Sequence, residues 1–123
     1  MLSHSQIKFV CKEVGVQSYQ RIWRTVQQIP YAQVASYGQI ADLAGLPGRS
    51  RLVSKALRQS PVELPWYRVV RSSGQIAFPA GSAEAQEQRA LLMAEGIQLR
   101  GNKVPAEHFW RPQLAELLFG LQD

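Results

Sequence analysis

"VASYGQIADLAGLPGRSRLVSKALRQ", Val34 to Gln59, is the stretch whose reading decides the fold. Ser36 is a helix N-cap residue type, with a hydroxyl able to accept from the first turn. Apolar positions follow at Ile40, Ala41, Leu43 and Ala44, one face of a short helix. Gly45 suits the residue just past a helix, and Leu46-Pro47-Gly48 makes a turn. A second helix is predicted from Arg49 or Ser50 to Arg58, with Val53, Ala56 and Leu57 facing inward. Two short helices joined by a glycine-containing turn, the second one basic, form the helix-turn-helix pattern over about residues 36–58. Helical hairpins that never touch nucleic acid share this pattern, so its charge has to be weighed.

The chain has 14 Lys and Arg against 9 Asp and Glu, a formal net charge of +5. Six of the cations, Arg49, Arg51, Lys55, Arg58, Arg68 and Arg71, fall between residues 49 and 71, where Glu63 is the only acid. Eight cations and eight acids remain elsewhere, so the whole excess sits on this segment. A phosphate backbone attracts such a patch. A solvated face serving only solubility is the competing reading, and the localisation of the excess favours nucleic acid.

The remaining composition excludes several classes. At 123 residues the chain is expected to be one domain, residues 1–123, and its 46% hydrophobic content rules out a disordered segment. No apolar run approaches the ~20 residues of a membrane span, and the first residues lack a signal-peptide core. A cytoplasmic, monomeric protein is the expectation. Cys11 is the single cysteine, so no internal disulfide forms, and His4 and His108 lie at opposite ends. No metal and no cofactor are expected.

Outside the central stretch, Tyr19, Ile22, Trp23, Val26 and Ile29 recur at helical spacing, which predicts a helix from Ser18 to Ile29, capped by Ser18 and stopped by Pro30. Ser5 to Val16 reads as another helix, with Ile7, Val10 and Cys11 on one face. From Pro61 the texture becomes extended. "LPWYRVV", Leu64 to Val70, is followed by "RSSGQIAF" with a turn around Ser73-Gly74, a short β-hairpin in prospect. Ala83 to Glu95 reads as a helix with Glu84 and Glu87 near its positive end, closed by Gly96. Val104 to Asp123 should add an aromatic clasp, Phe109 and Trp110, and a short helix over Gln113 to Leu118. The class is α+β, mostly α.

These motifs carry a resemblance. "VASYGQIADLAG", Arg51-x-Val53-x-x-Ala56-Leu57-Arg58, Pro65-x-x-Arg68-Val69-Val70, Ser72-Ser73-Gly74 and "LLMAEG" come in one order over roughly residues 18–100. Together they resemble the C-terminal domain of the DNA O6-alkylguanine alkyltransferases. That family's active motif is Pro-Cys-His-Arg-Val, whereas this chain reads Pro65-Trp66-Tyr67-Arg68-Val69. It is thus more similar to the alkyltransferase-like proteins, in which tryptophan replaces the acceptor cysteine. Alkyl transfer from guanine O6 needs a thiolate-like nucleophile supported by a base. An indole is a donor only, and Tyr67, with an ordinary pKa near ~10, is a poor base. Ser60 stands where the family has asparagine; Glu95 is retained. The expectation is a chain that does not catalyse transfer.

The binding parts match. The resemblance implies that Tyr37 rotates the target phosphate and that Arg51 enters the stack in place of the extruded base. Ser50 and Ser54 would allow close approach in the minor groove, with Lys55 bulkier beside them. Trp66, Tyr67, Val69 and the loop "IAFPAG" would line a lesion pocket, Ala80 standing where transferases carry a serine. Pro65, Arg68 and Glu95 are assigned to structural support, with direct DNA contact the alternative for Arg68. The implied partner is duplex DNA containing O6-alkylguanine, handed on to nucleotide excision repair. A residual transferase and a sequence-specific major-groove regulator remain as rivals.

Overall fold

The structure, a computed structural model, describes residues 17–112. The expected helix over Ser5–Val16, the role of Cys11 and the helix over Gln113–Leu118 fall outside the described residues. A helix, α1, covers residues 17–27. Ser18 therefore lies within α1 rather than capping it. The helix tightens at its end, Gln28 and Ile29 donating to the Thr25 and Val26 carbonyls, before Pro30.

Strand β1 (Ala35–Ser36) leads directly into α2 (Tyr37–Leu43), and α3 (Ser50–Arg58) follows. Ser36 Oγ accepts from the Gln39 N–H at 3.0 Å, so the expected cap forms. The end of α2 is a Schellman motif: Leu46 N–H donates to Ala41 O at 2.8 Å and Gly45 N–H to Asp42 O at 3.0 Å. That geometry needs a residue at positive φ, and Gly45 sits at +77°. The same motif ends α4 (Ala83–Ala94), with Gly96 at +88° and Ile97 N–H donating to Leu92 O. Ser82 caps its start through Ala85 N–H.

After α3 come a single 3₁₀ turn, Trp66–Arg68, and strand β2 (Val69–Val70). β2 pairs in parallel with β1, Ala35 opposite Val69 and Ser36 opposite Val70. Alternation along this short ladder divides the core. Ala35 and Val69 join Ile22, Val26, Ile40, Val53 and Ala56 beneath the helices; Val34 and Val70 join Leu92, Ile97 and Val104 on the other side. A parallel pair covered on both faces explains why all four of these strand-region residues are apolar. Each fully buried aliphatic side chain contributes about 1.5–3 kcal/mol. Trp23 packs on the first cluster, and its indole Nε1 donates to the Ala56 carbonyl at 2.7 Å, clamping α1 to the end of α3.

The expected hairpin is reduced to a turn. Arg71 N–H donates to Gln75 O and Gly74 N–H to Arg71 O, but no ladder extends from them. The chain before the turn is already paired with β1. The chain after it is drawn to residues 102–104 instead, Ile76 N–H donating to Asn102 O and Val104 N–H to Gly74 O. The aromatic clasp is present: Trp110 N–H donates to Val34 O at 2.7 Å, Phe109 packs on the second cluster and Trp110 on the first. Among the described residues, no helix is long and apolar enough to cross a membrane.

One ion pair ties these pieces. Arg68 Nη2 meets Glu95 Oε2 at 2.6 Å and Arg68 Nε meets Oε1 at 3.0 Å. Arg68 Nη1 also donates to the Ile29 carbonyl at 2.8 Å, reaching the end of α1. Glu95 Oε1 accepts the Ala32 N–H at 2.8 Å, and Oε2 accepts the Tyr67 hydroxyl at 2.9 Å. Ala32 sits at φ 63°, a left-handed conformation costing roughly 1–2 kcal/mol for a residue with a Cβ, and its bond to Glu95 holds it there. Burial alone would raise the Glu95 pKa; the hydrogen bonds from Arg68, Ala32 and Tyr67 and the Arg68 charge outweigh it, and the pKa lies below its ordinary 4.5. The carboxylate's stabilisation is therefore complete above that value and drains away as pH falls through the depressed one. Urea unfolding at pH 7 should show Glu95→Ala costing on the order of 3 kcal/mol, because Arg68 is left buried and unpaired. The variant should also lack part of the wild type's loss of stability below about pH 4.5.

Candidate nucleic-acid interface

Helix α3 buries Val53 and Ala56 and exposes Arg51, Lys55 and Arg58 along one stripe, with Arg49 just before it. The salt bridges among the described residues are Arg68–Glu95 and His108–Glu107, so none of these four is paired in that way. Arg68 is only 14% exposed at its side chain, which removes it from the surface charge that the sequence suggested. The remaining basic patch belongs to α3 and Arg71.

Beside this helix opens a cleft of about 380 Å³. Tyr37 from the start of α2, Ser54, Leu57 and Arg58 from α3, Trp66, the loop residues Ala77 and Phe78, and Glu84 and Glu87 from α4 line it. The path of "LPWYRVV" explains how Trp66 gets there. Pro65, at φ −74° and ψ 60°, makes an inverse γ-turn, with Trp66 N–H donating to Leu64 O at 2.7 Å. The 3₁₀ turn then places successive side chains about 120° apart. Trp66 meets the cleft, Tyr67 and Arg68 reach Glu95, and Val69 enters the core. From α4, Gln88 Nε2 donates to the Tyr67 and Val69 carbonyls at 2.9 and 3.1 Å and fixes the turn. The Trp66 ring meets Phe78 edge-to-face at 6.2 Å and Tyr67 at 6.0 Å, both at 85°.

The residues expected to form the site separate accordingly. Tyr37, Ser54 and Trp66 come together in the cleft, while Arg51 and Lys55 lie exposed on α3 and Ser50 half-buried at its start. Tyr67 does not line the cleft; its hydroxyl is spent on Glu95, and burial together with that carboxylate raises its pKa. Val69 is fully buried in the first core cluster. Ala80 is exposed over a neighbouring recess of about 320 Å³ with Arg71, Gln75 and Asn102, divided from the cleft by Ala77 and Phe78. Pro65 opens the 3₁₀ turn that carries Trp66, and Arg68 pairs with Glu95 and donates to the Ile29 carbonyl. Leu57, Arg58, Glu84 and Glu87 were not anticipated in the cleft. Arg58 carried a signal in the basic window; the two glutamates read only as partners of a helix dipole.

Chemically the cleft is an aromatic and aliphatic slot with a cation on one wall and carboxylates on another. Among the described residues, no thiol or imidazole lines it. Burial pushes the Tyr37 phenol above its ordinary pKa, partly offset by the Arg71 charge, the Ser54 hydroxyl and the Arg58 charge, so it stays protonated at neutral pH. No group of three or more metal-ligating side chains occurs among the described residues. A larger recess of about 660 Å³ between α2 and residues 109–112 lacks both the basic helix face and the loop, and the smaller cleft is the better candidate.

The chain is similar to known proteins in sequence and in fold. Residues 17–97 match the model of the family described as 6-O-methylguanine DNA methyltransferase, DNA binding domain. A "DNA base-flipping protein" of Vibrio parahaemolyticus is 38% identical over 96 residues, covering 75% of this chain and 94% of that one. Alkyltransferase-like protein 1 of Schizosaccharomyces pombe is 32% identical over 102 residues, 76% and 94% of the two chains. The crystal structure of S. pombe Atl1 in complex with damaged DNA containing O6-carboxymethylguanine superposes with a TM-score of 0.70 at 33% identity, over 77% of this chain and 95% of that one. This chain belongs to the 6-O-methylguanine DNA methyltransferase DNA-binding-domain family, on its alkyltransferase-like side.

Proposed function

We propose that this protein binds duplex DNA through α3, flips an O6-alkylguanine into the cleft beside Trp66, and leaves the alkyl group in place. The observation that carries the reading is an open aromatic cleft, lined by Trp66, abutting an unpaired basic helix face; the resemblance of Pro65–Val69 to the transferase motif Pro-Cys-His-Arg-Val supports it. A volume of 380 Å³ falls within the usual range for small-molecule pockets. A flipped base commonly gains stacking against an aromatic ring, and Trp66 and Phe78 both line the cleft, their planes at 85° so that a base stacks on one of them. Arg51 fills the vacated position in the stack, a planar cation replacing a base. Tyr37 steers the adjoining phosphate from the cleft's edge. Ser50 and Ser54 keep α3 slim enough for the minor groove, and Lys55 and Arg58 add phosphate contacts.

Non-catalysis follows from the donor set: an indole and a protonated phenol offer no nucleophile to an O6-alkyl carbon. A lesion held but not repaired needs another activity to remove it. Nucleotide excision repair is the route this reading assigns, with the protein acting as a monomer in the cytoplasm.

Fluorescence anisotropy at moderate salt should give tighter binding to a duplex with one O6-methylguanine than to its unmodified twin, in any flanking sequence. Equal affinities would defeat the lesion reading; preference for one undamaged sequence would favour a regulator. Arg51→Ala should weaken lesion binding about tenfold or more, since it removes the group that fills the stack. Lys103→Ala, outside the basic segment, should change it less than about twofold. Mass measurement after incubation with O6-alkylated DNA should return the unmodified protein; a stoichiometric alkyl adduct would mark a transferase.

A further inference from the structure

We propose that Arg71 closes a clamp with Tyr37 on one backbone phosphate beside the flipped nucleotide, and that the recess lined by Arg71, Gln75 and Asn102 seats it. This rests on the lesion-binding reading above and deepens it by naming a DNA contact outside α3. The short ladder brings the two residues together. Val70 is opposite Ser36, so the two chains leave β1 and β2 side by side at the same end, a strand spacing of about 4.8 Å apart. The next residues are Tyr37 and Arg71. Alternation directs Val69 to the first core cluster and Val70 to the second, and so turns Arg71 back toward the side on which Tyr37 packs. The proximity is felt electrostatically: burial raises the Tyr37 pKa, and the Arg71 charge is the largest influence opposing it.

Arg71 is exposed and belongs to no salt bridge among the described residues. Its backbone is fixed by a turn: Arg71 N–H donates to Gln75 O at 2.9 Å, and Arg71 O accepts the Gly74 N–H at 2.8 Å. Gly74 sits at φ 91°, with Val104 O only 2.6 Å from where a Cβ would stand, so the turn depends on glycine. The recess of about 320 Å³ shares Ala77 and Phe78 with the lesion cleft, and the two lie on either side of one loop. Their charge differs. Glu84 and Glu87 line the cleft, whereas among the described residues no carboxylate side chain lines the recess. Arg89 Nη1 donates to Asn102 Oδ1 at 3.0 Å, which leaves the Asn102 Nδ2 donors for another acceptor. A guanidinium and amide donors around an acid-free recess suit a phosphodiester oxygen, and the guanidinium bond is charge-assisted. Arg58 reaches Tyr37 from α3 and Arg71 from the end of β2, so a phosphate at the phenol is flanked by two cations.

The test is a double-substitution cycle between protein and DNA, read by fluorescence anisotropy. Arg71→Gln is combined with duplexes in which one phosphate near an O6-methylguanine becomes a neutral methylphosphonate, one linkage at a time. Alone, Arg71→Gln should weaken lesion binding about tenfold and reduce the slope of log Kd against log salt by about one. At one linkage adjoining the lesion, the neutral substitution should weaken the wild type by a similar factor and the variant by less than about twofold. Arg100→Gln, which removes the same charge from a different recess, should show no such coupling at any linkage. Factors that multiply at every linkage would reduce Arg71 to diffuse charge and overturn the proposal, as would an unaltered affinity in Arg71→Gln. If the wild type binds O6-methylguanine no better than plain guanine, the lesion reading fails and the clamp falls with it. A retained lesion preference without coupling removes the clamp alone.

Discussion

The buried Arg68–Glu95 pair is the constraint on which the site depends. Three donors converge on Glu95, the Arg68 guanidinium and the Tyr67 hydroxyl from the 3₁₀ turn and the Ala32 N–H from the loop after α1, while the Ile29 carbonyl accepts from Arg68. Glu95 is at the same time the C-cap of α4. Removing one partner from such a pair would strand a charge in a poorly solvated place. The turn is thereby locked in one phase, and with Tyr67 and Arg68 committed to Glu95, Trp66 faces the cleft.

The two-residue parallel ladder does complementary work. It is too short to stabilise a sheet, yet it positions the residues on either side of it. Ser36, at the end of β1, caps α2 and so sets Tyr37 at the cleft's edge. Val69, at the start of β2, fixes the exit of the Trp66 turn in the core. The distance from the Tyr37 phenol to the Trp66 indole is thus governed by pairing between residues 35 and 69.

How much of this could be read from the sequence follows from the range of each interaction. The helix pair was legible because its signals are local: Ser36 bonds three residues on, and Gly45 closes a motif within six. The basic face was legible as a charge count, although the burial of Arg68 against a glutamate 27 positions away was not a property of the count. Tyr67 and Val69 were placed in the pocket by their neighbourhood to Trp66. Their true directions depend on the phase of a three-residue turn, which Glu95 and the core set from elsewhere. The parallel ladder has no sequence signature at two residues, and a hairpin was the natural local expectation. Glu84 and Glu87 enter the cleft only because α4 packs across the turn, through Gln88.

Trp66 as the wall against which a damaged base rests is the central claim. The most direct measurement is its emission in a Trp23→Phe, Trp110→Phe background, titrated with duplexes that do and do not contain O6-methylguanine. The account predicts a change in Trp66 fluorescence that saturates at one lesion per protein and is absent with plain DNA bound to the same occupancy. Identical spectra for the two bound duplexes would contradict it.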